Sequence, residues 1–257
     1  MIITDKFVFL HFPKTGGCFV EEVLKKLHRQ MALRGRPAAC EQIMLPNSKR
    51  IGGETVMNQH GTYEQIPAEH KGKPVMGCVR DPFDHYISFY EYRNWAHQTP
   101  DKVKEIKERF PSFPDLSFNE FLHFFNIFNI RSRVHHERLR ADIGMITYSF
   151  IQFFFRDPKN AISRLDGSYL DSGKFREDMA EVRFLHTENL NRELHDALAG
   201  FGYEKEDIAF ILSEGKINVT RERKTPADRD KYYTDELLEL VREKDRMMFD
   251  LFPEYSR

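Results

Sequence analysis

The chain has few cysteines, no excess charge of either sign and no long hydrophobic segment. Its three cysteines, Cys18, Cys40 and Cys78, are too few and too scattered for a disulfide framework or a zinc site, which favours a reducing compartment. The 39 lysines and arginines balance 40 aspartates and glutamates. No overall basicity therefore directs the protein to nucleic acid or to an anionic membrane, and a polyanionic ligand must be held by a local set of donors.

Neither a signal peptide nor a membrane span is expected. The first residues, MIITDKFVFLHFPK, have no basic leader and no small-residue cleavage site, and predict a buried strand instead. The most apolar segment, residues 145–155, is shorter than the ~20 residues that a spanning helix needs. We therefore expect a soluble, cytoplasmic protein with no nucleic-acid partner.

Strand and helix signals alternate along the chain, which predicts an α/β fold: a three-layer sandwich around a mostly parallel sheet. We expect one domain, residues 1–257, with a helical insertion at roughly 97–180. The predicted strands cover 7–10, 75–79 and 182–186. The predicted helices follow the first two strands and cover 101–109, 117–128, 143–155 and about 189–199, with a last one from near Thr234. The regularly spaced phenylalanines at 118, 121, 125 and 128 are interpreted as core.

A glycine loop follows the first predicted strand and precedes a helix, where backbone N–H groups and the helix dipole favour an anion. It reads His11-Phe12-Pro13-Lys14-Thr15-Gly16-Gly17-Cys18. Lys14 adds a positive charge, Thr15 a hydroxyl donor, and the glycines allow close approach of a ligand. In the following helix, Glu21/Lys25 and Glu22/Lys26 are predicted to pair on the outer face.

The order of the lysine and the glycines in this loop indicates which class of nucleotide it binds. A triphosphate-binding loop reads GxxxxGK[ST], with its lysine after the glycines, whereas Lys14 precedes Gly16 and Gly17. An ATP-dependent kinase with a degenerate loop is therefore disfavoured but stays an alternative. A non-catalytic nucleotide-binding protein on the same α/β fold is a further alternative.

A second anion motif follows the strand at 75–79, with the order Arg80-Asp81-Pro82. Asp81 and Pro82 suit the N-cap and first position of a helix, and we favour this capping role over a magnesium ligand. Ser88 returns to the cap's face about two turns later, so that Arg80 and Ser88 can converge on one anion. The alternative is that Arg80 pairs with a carboxylate and Ser88 is an ordinary surface residue.

The two motifs together resemble those of the PAPS-dependent sulfotransferases, particularly the branch with carbohydrate and uronyl sulfotransferases (PAPS is 3′-phosphoadenosine 5′-phosphosulfate). The resemblance implies a P-loop-like sulfotransferase fold, PAPS as donor and PAP (adenosine 3′,5′-bisphosphate) as product. No metal is expected, because the sequence has no HExxH motif and no carboxylate cluster at ligand spacing. The resemblance also implies that the loop holds the phosphosulfate and that Arg80 and Ser88 hold the 3′-phosphate. Cys18 stands where the family usually has Thr or Ser, which leaves its backbone amide available. The implied nucleotide-binding residues are Lys14, Thr15, Gly16, Gly17, Cys18, Arg80, Ser88, Arg221, Arg223 and Lys224.

Two later segments extend the resemblance. Thr187-Glu188-Asn189-Leu190 follows the strand at 182–186, and residues 217–220 precede a basic loop. By resemblance, Arg221, Arg223 and Lys224 close over the nucleotide, although a solvated charge cluster explains them equally well.

Two residues are the candidates for catalysis. Lys14 is expected to neutralise charge on the leaving phosphate and the transferring group. The uronyl branch often carries an H-x-H pair ahead of its second motif; here Asn58 takes the first position and only His60 remains as base. Glu54 is the fallback base, and His11 is interpreted as structural or nucleotide-adjacent.

The acceptor is less well defined by the sequence. The predicted reaction moves a sulfuryl group to a hydroxyl, less readily an amine, of a small molecule or saccharide. The helical insertion at 97–180 is expected on the acceptor side. Its arginines 131, 133, 138 and 140 surround His135 and His136 and suit either an anionic acceptor or a solvated helix face.

Overall fold

The computed structural model describes residues 1–51, 54–128, 142–215 and 226–256. The strands in these ranges are β1 Ile2–Thr4, β2 Val8–Leu10, β3 Cys40–Gln42, β4 Leu45–Ile51, β5 Glu54–Asn58, β6 Val75–Val79 and β7 Arg183–His186. The α-helices are α1 Gly17–Leu33, α2 Pro82–Tyr92, α3 Pro100–Arg109, α4 Phe118–His123, α5 Met145–Phe154, α6 Pro158–Arg164, α7 Gly167–Asp171, α8 Phe175–Asp178, α9 Leu190–Gly200, α10 Lys205–Ile208, α11 Asp235–Lys244 and α12 Arg246–Leu251. Short 3₁₀ turns and a π-helical turn, Phe124–Phe128, connect some of them.

The chain divides into two compact units. The first comprises the described residues of Met1–Arg80, Phe153–Arg156 and Met179–Val219, and the second those of Asp81–Gln152, Asp157–Asp178 and Thr220–Arg257. The expectation of one domain with an insertion at 97–180 stays a prediction.

The first unit contains a five-stranded sheet in the order β3-β1-β2-β6-β7. Strand β1 is antiparallel to both of its neighbours, whereas β2, β6 and β7 are mutually parallel. Four of the five strands therefore run in one direction, and the predicted α/β fold with a mostly parallel sheet is confirmed. Strands β4 and β5 form a separate antiparallel pair.

Both faces of the sheet are covered by helical residues. On one face, Phe9 of β2 and Phe7 just before that strand join one buried cluster with residues of α1 and α9. On the opposite face, Gly77 of β6 lies under Phe154, the last residue of α5, and a Cβ at Gly77 would come within 2.7 Å of that ring. Phe154 also packs edge-on against Phe184 of β7 at 5.0 Å.

The second unit has an aromatic core and a buried polar cluster. Phe118 and Phe121 are buried, as predicted for core positions. Tyr86 Oη lies 2.6 Å from both Asn126 Oδ1 and Asp245 Oδ2, and the amide of Thr147 donates to Asp245 Oδ1. The tyrosine has one proton for two acceptors, so a protonated Asp245 that donates to Tyr86 completes the cluster.

This cluster makes stability depend on pH. Burial raises the pKa of Asp245 to about 6. Because Asp245 binds its proton more tightly in the folded protein than in the unfolded chain, protonation stabilises the fold. This stabilisation is complete at a pH below the unfolded pKa and is lost as the pH rises through about 6. Between pH 4 and pH 7, titration of Asp245 should lower the free energy of unfolding by about 2 kcal/mol.

Asp245→Asn stays neutral and should remove this part of the pH dependence. The measurement is urea denaturation of the wild type and the variant between pH 4 and pH 7. Asp250→Asn, at an exposed aspartate of the same unit, is the control and should keep the wild-type slope. An unchanged slope in Asp245→Asn would show that Asp245 does not titrate in this range.

Candidate functional site

The glycine loop, the Arg80 motif and the segment from Thr187 each follow the end of one of the three parallel strands. Strand β2 ends at Leu10, β6 at Val79 and β7 at His186. The residues directly after them are His11, Arg80 and Thr187. The carboxyl edge of parallel strands is where α/β proteins bind their ligands.

The glycine loop connects β2 to α1 in the predicted order. Gly16 has φ of 85°, a left-handed conformation that favours glycine, and it caps α1 without a side-chain hydrogen bond. At Gly17 a Cβ would come within 2.1 Å of the His11 ring, so this position has no room for a side chain. The first turn of α1 contains no acidic residue, which keeps the helix N-terminus suited to an anion.

The structure brings the two predicted motifs together. Arg80 Nη1 donates a hydrogen bond to the Lys14 carbonyl at 3.3 Å. Lys14 has φ of 66°, which costs about 1–2 kcal/mol for a residue with a side chain, and the bond from Arg80 holds its carbonyl in that conformation. The Thr187 hydroxyl lies 2.9 and 2.8 Å from the carbonyl oxygens of Thr15 and Val79 and donates its one proton to one of them at a time. The residues that follow β6 and β7, Arg80 and Thr187, therefore both contact backbone carbonyls of the glycine loop that follows β2.

The Thr15 side chain has a different role from the one predicted. It is fully buried, and its hydroxyl donates to the Phe12 carbonyl at 2.8 Å. The hydroxyl proton is thus used within the loop, and Thr15 can offer a ligand only its backbone N–H. Lys14, Gly16 and Cys18 are half-buried.

His60 lies after β5 with a defined tautomer. Its amide donates to Asn58 Oδ1 at 2.8 Å, so the residue at the first position of the incomplete H-x-H pair shapes this turn. Its ring Nδ1 lies 2.9 Å from the His11 carbonyl oxygen. A carbonyl only accepts, so Nδ1 carries the proton and Nε2 keeps its lone pair. Among the residues that the structure describes, Nε2 has no hydrogen-bond partner.

The electrostatics of this region favour a neutral His60. Burial lowers the pKa of His60, and the positive charge of nearby His11 acts in the same direction. Burial alone also lowers the pKa of His11, but the interactions with Cys18 and with the Glu21 carboxylate outweigh it and raise that pKa. The two rings lie edge to face, with centroids 4.7 Å apart.

Glu21 corrects a prediction. It does not lie on the outer face of α1 with Lys25; it is 5% exposed, and its Oε1 is 3.0 Å from His11 Nδ1. Lys25 instead pairs with Glu22 across 3.4 Å. A signal was present in the sequence, because Glu21 shares a helix face with Leu24 and His28, both buried.

The continuation of the second motif belongs to the second unit. Asp81 accepts a hydrogen bond from the amide of Phe83 at the start of α2, so its predicted capping role is confirmed. Sequence reasoning missed Arg229, which donates to Asp81 at 2.7 Å and to Asp84 at 3.0 Å. Ser88 is half-buried on α2, and its predicted action together with Arg80 stays a prediction.

Other predicted residues lie outside the described part of the chain. These are Arg221, Arg223 and Lys224 of the basic loop, the arginines and histidines at 131–140, and the side chain of Glu54. In the described ranges, no group of three or more His, Cys, Asp or Glu residues is arranged to hold a metal ion, and no helix has the length and apolarity to cross a membrane.

Comparison with known proteins gives a structural likeness only. No protein-family description and no curated protein matches the chain. The fold is similar to that of mouse sulfotransferase SULT7A1, whose crystal structure is a complex with PAP, with a TM-score of 0.44 and 15% sequence identity. The likeness covers 93% of this chain and 84% of the mouse chain.

Proposed function

We propose that the protein is a PAPS-dependent sulfotransferase that moves a sulfuryl group to a hydroxyl of a small-molecule or saccharide acceptor. The observation that carries this proposal is the hydrogen bond from Arg80 to the Lys14 carbonyl. It supports a single anion-binding region that combines both sequence motifs, as the resemblance to the carbohydrate and uronyl branch requires. The cytoplasmic location and the absence of a metal requirement belong to the same proposal.

The residues of the loop suit the donor substrate. The Lys14 ammonium, the backbone N–H groups at the start of α1 and the Arg80 guanidinium are donors of the kind that bind phosphate and sulfate oxygens. Gly16 and Gly17 add no side chain between a ligand and the backbone. We assign the phosphosulfate to this loop and the 3′-phosphate to Arg80, with Ser88 and the basic loop 221–224 as further predicted contacts.

His60 and Lys14 are the proposed catalytic residues. The acceptor oxygen forms a bond to sulfur, the bond from sulfur to the bridging phosphate oxygen breaks, and the electron pair leaves with PAP. The acceptor proton goes to Nε2 of His60, which the bond from Nδ1 to the His11 carbonyl leaves as the acceptor nitrogen. The Lys14 ammonium stabilises the charge that develops on the leaving phosphate, by analogy with phosphoryl transfer.

A thermal-shift comparison of PAP, ADP and ATP, each with and without Mg²⁺, tests the nucleotide class. We expect PAP to raise the melting temperature without Mg²⁺ and by more than ADP, because only PAP has a 3′-phosphate for Arg80. Stabilisation by ATP that depends on Mg²⁺ would instead support the kinase alternative. Sulfuryl transfer from labelled PAPS to a panel of hydroxyl and amine acceptors then tests catalysis, and PAP binding without any turnover would support the non-catalytic alternative.

A further inference from the structure

Behind the candidate base lies a buried pair of ionisable residues that the proposed reaction does not use directly. His11 and Glu21 are 2% and 5% exposed, and His11 Nδ1 is 3.0 Å from Glu21 Oε1. Gln42 Nε2 donates to the same carboxylate oxygen at 3.3 Å. Burial of a carboxylate and an imidazole costs free energy even when the two are paired. A role in the site would explain why both residues are buried here.

The pair is joined to His60 at two points. The His11 carbonyl accepts the proton of His60 Nδ1, and the His11 ring stands edge to face with the His60 ring at 4.7 Å. The absence of a side chain at Gly17 lets the His11 ring lie against the start of α1. The geometry therefore couples the orientation of His60 to the charge of its neighbour.

We propose that His11 and Glu21 are positioning residues that hold His60 in the Nδ1–H tautomer and keep it neutral by placing a positive charge beside it. The carboxylate of Glu21 holds the proton on His11, and the His11 imidazolium opposes a second positive charge on His60. This inference deepens the proposed function and rests on it for its catalytic meaning, but not for its physical test.

The charged groups around His60 set the sign of the expected effect. His11 follows β2, Glu21 lies on α1, and the α-amino group of Met1 precedes β1. Cys18, also on α1, acts on His11 rather than directly on His60. Burial lowers the pKa of that amino group to about 6. Of these groups, His11 and the amino group lower the pKa of His60 and Glu21 raises it. Removal of the charge on His11 should therefore raise the pKa of His60.

The test is ¹⁵N NMR titration of the ring nitrogens in the ligand-free protein, for the wild type and His11→Gln. Glutamine keeps a donor for Glu21 and keeps the backbone carbonyl but cannot carry a charge. We expect the Nδ1–H tautomer of His60 in both proteins and titration of His60 at higher pH in the variant. His28→Gln, at another buried histidine of α1, is the control and should leave the His60 titration unchanged.

A second variant keeps the proposal testable if His11→Gln does not fold. Glu21→Gln removes the partner that raises the pKa of His11, so His11 should titrate at lower pH than in the wild type. An Nε2–H tautomer in the wild type, or identical His60 titrations in the wild type and folded His11→Gln, would overturn the proposal. If the titration moves as expected but the pH profile of sulfuryl transfer does not follow it, the pair is correctly described and the catalytic role of His60 is wrong.

Discussion

His60→Ala is expected to lower turnover by about 10²–10⁴-fold, the usual contribution of a general base, while affinity for PAP stays near that of the wild type. The reason is that Nε2 of His60 keeps its lone pair for the acceptor proton, whereas the proposed nucleotide contacts come from Lys14, the start of α1 and Arg80. The measurements are the turnover number with labelled PAPS and a PAP titration by calorimetry.

His195→Ala, at a half-buried histidine of α9 outside the predicted site, is the matched control and should behave as the wild type. Unchanged turnover in His60→Ala would move the role of base elsewhere, and Glu54→Gln would be tested next. Equal losses of turnover and of PAP affinity would instead indicate that His60 supports the loop rather than the proton transfer.

The pH profile of the wild type follows from the same residue. A base must be neutral to accept a proton, so activity should fall as pH decreases through the pKa of His60. Burial, followed by the His11 charge, lowers that pKa below the usual 6.5. We therefore expect the acid limb of kcat/KM below pH 6.5, and an acid limb above that value would contradict the assignment.

The parts of the fold that the sequence predicted are those governed by short-range patterns. The sequence predicts the strand at Val75–Val79 with its observed bounds, because a continuous apolar run stops at Arg80 and an Asp-Pro helix start follows. The helix predicted from near Thr234 begins at Asp235, where the Thr234 hydroxyl accepts from the amide of Leu237. Local apolar spacing and capping chemistry are sufficient for such elements.

The missed elements depend on partners distant in the chain. Strand β3, Cys40–Gln42, has no apolar alternation and exists because it pairs with β1. The helix predicted over 117–128 is α-helical only to His123 and continues as a π-helical turn, in which Asn126 accepts from the buried amide of Met145. Neither feature is encoded in the local spacing of apolar residues.

The candidate site shows the same division. The glycine loop and the Arg80 motif were found from local order, but the bond between them requires the parallel pairing of β2 with β6. The i,i+4 spacing of Glu21 and Lys25 alone favours the outer face of α1 for Glu21. The face that Glu21 shares with Leu24 and His28 points inward, but its partner His11 lies on the far side of the loop and is identified only by the folded structure.

Arg80→Ala is expected to weaken PAP by at least about 30-fold, since loss of a charged hydrogen-bond partner in a binding site costs about 2–5 kcal/mol. Adenosine 5′-phosphosulfate, which lacks the 3′-phosphate, should lose far less. The two ligands must be compared because Arg80 has a second role in the loop. Arg80 also donates to the Lys14 carbonyl, so its truncation relaxes the loop and weakens both ligands, and only the difference between them reports the 3′-phosphate.

Arg80→Lys separates the two roles of this side chain. Lysine keeps the charge but lacks the planar fork of donors, which the proposal requires for the Lys14 carbonyl and the 3′-phosphate together. We expect an intermediate loss of PAP affinity, measured by calorimetry at fixed ionic strength beside Arg80→Ala. If both variants weaken PAP and adenosine 5′-phosphosulfate by equal factors, Arg80 acts only on the loop, and the 3′-phosphate must be held by other residues.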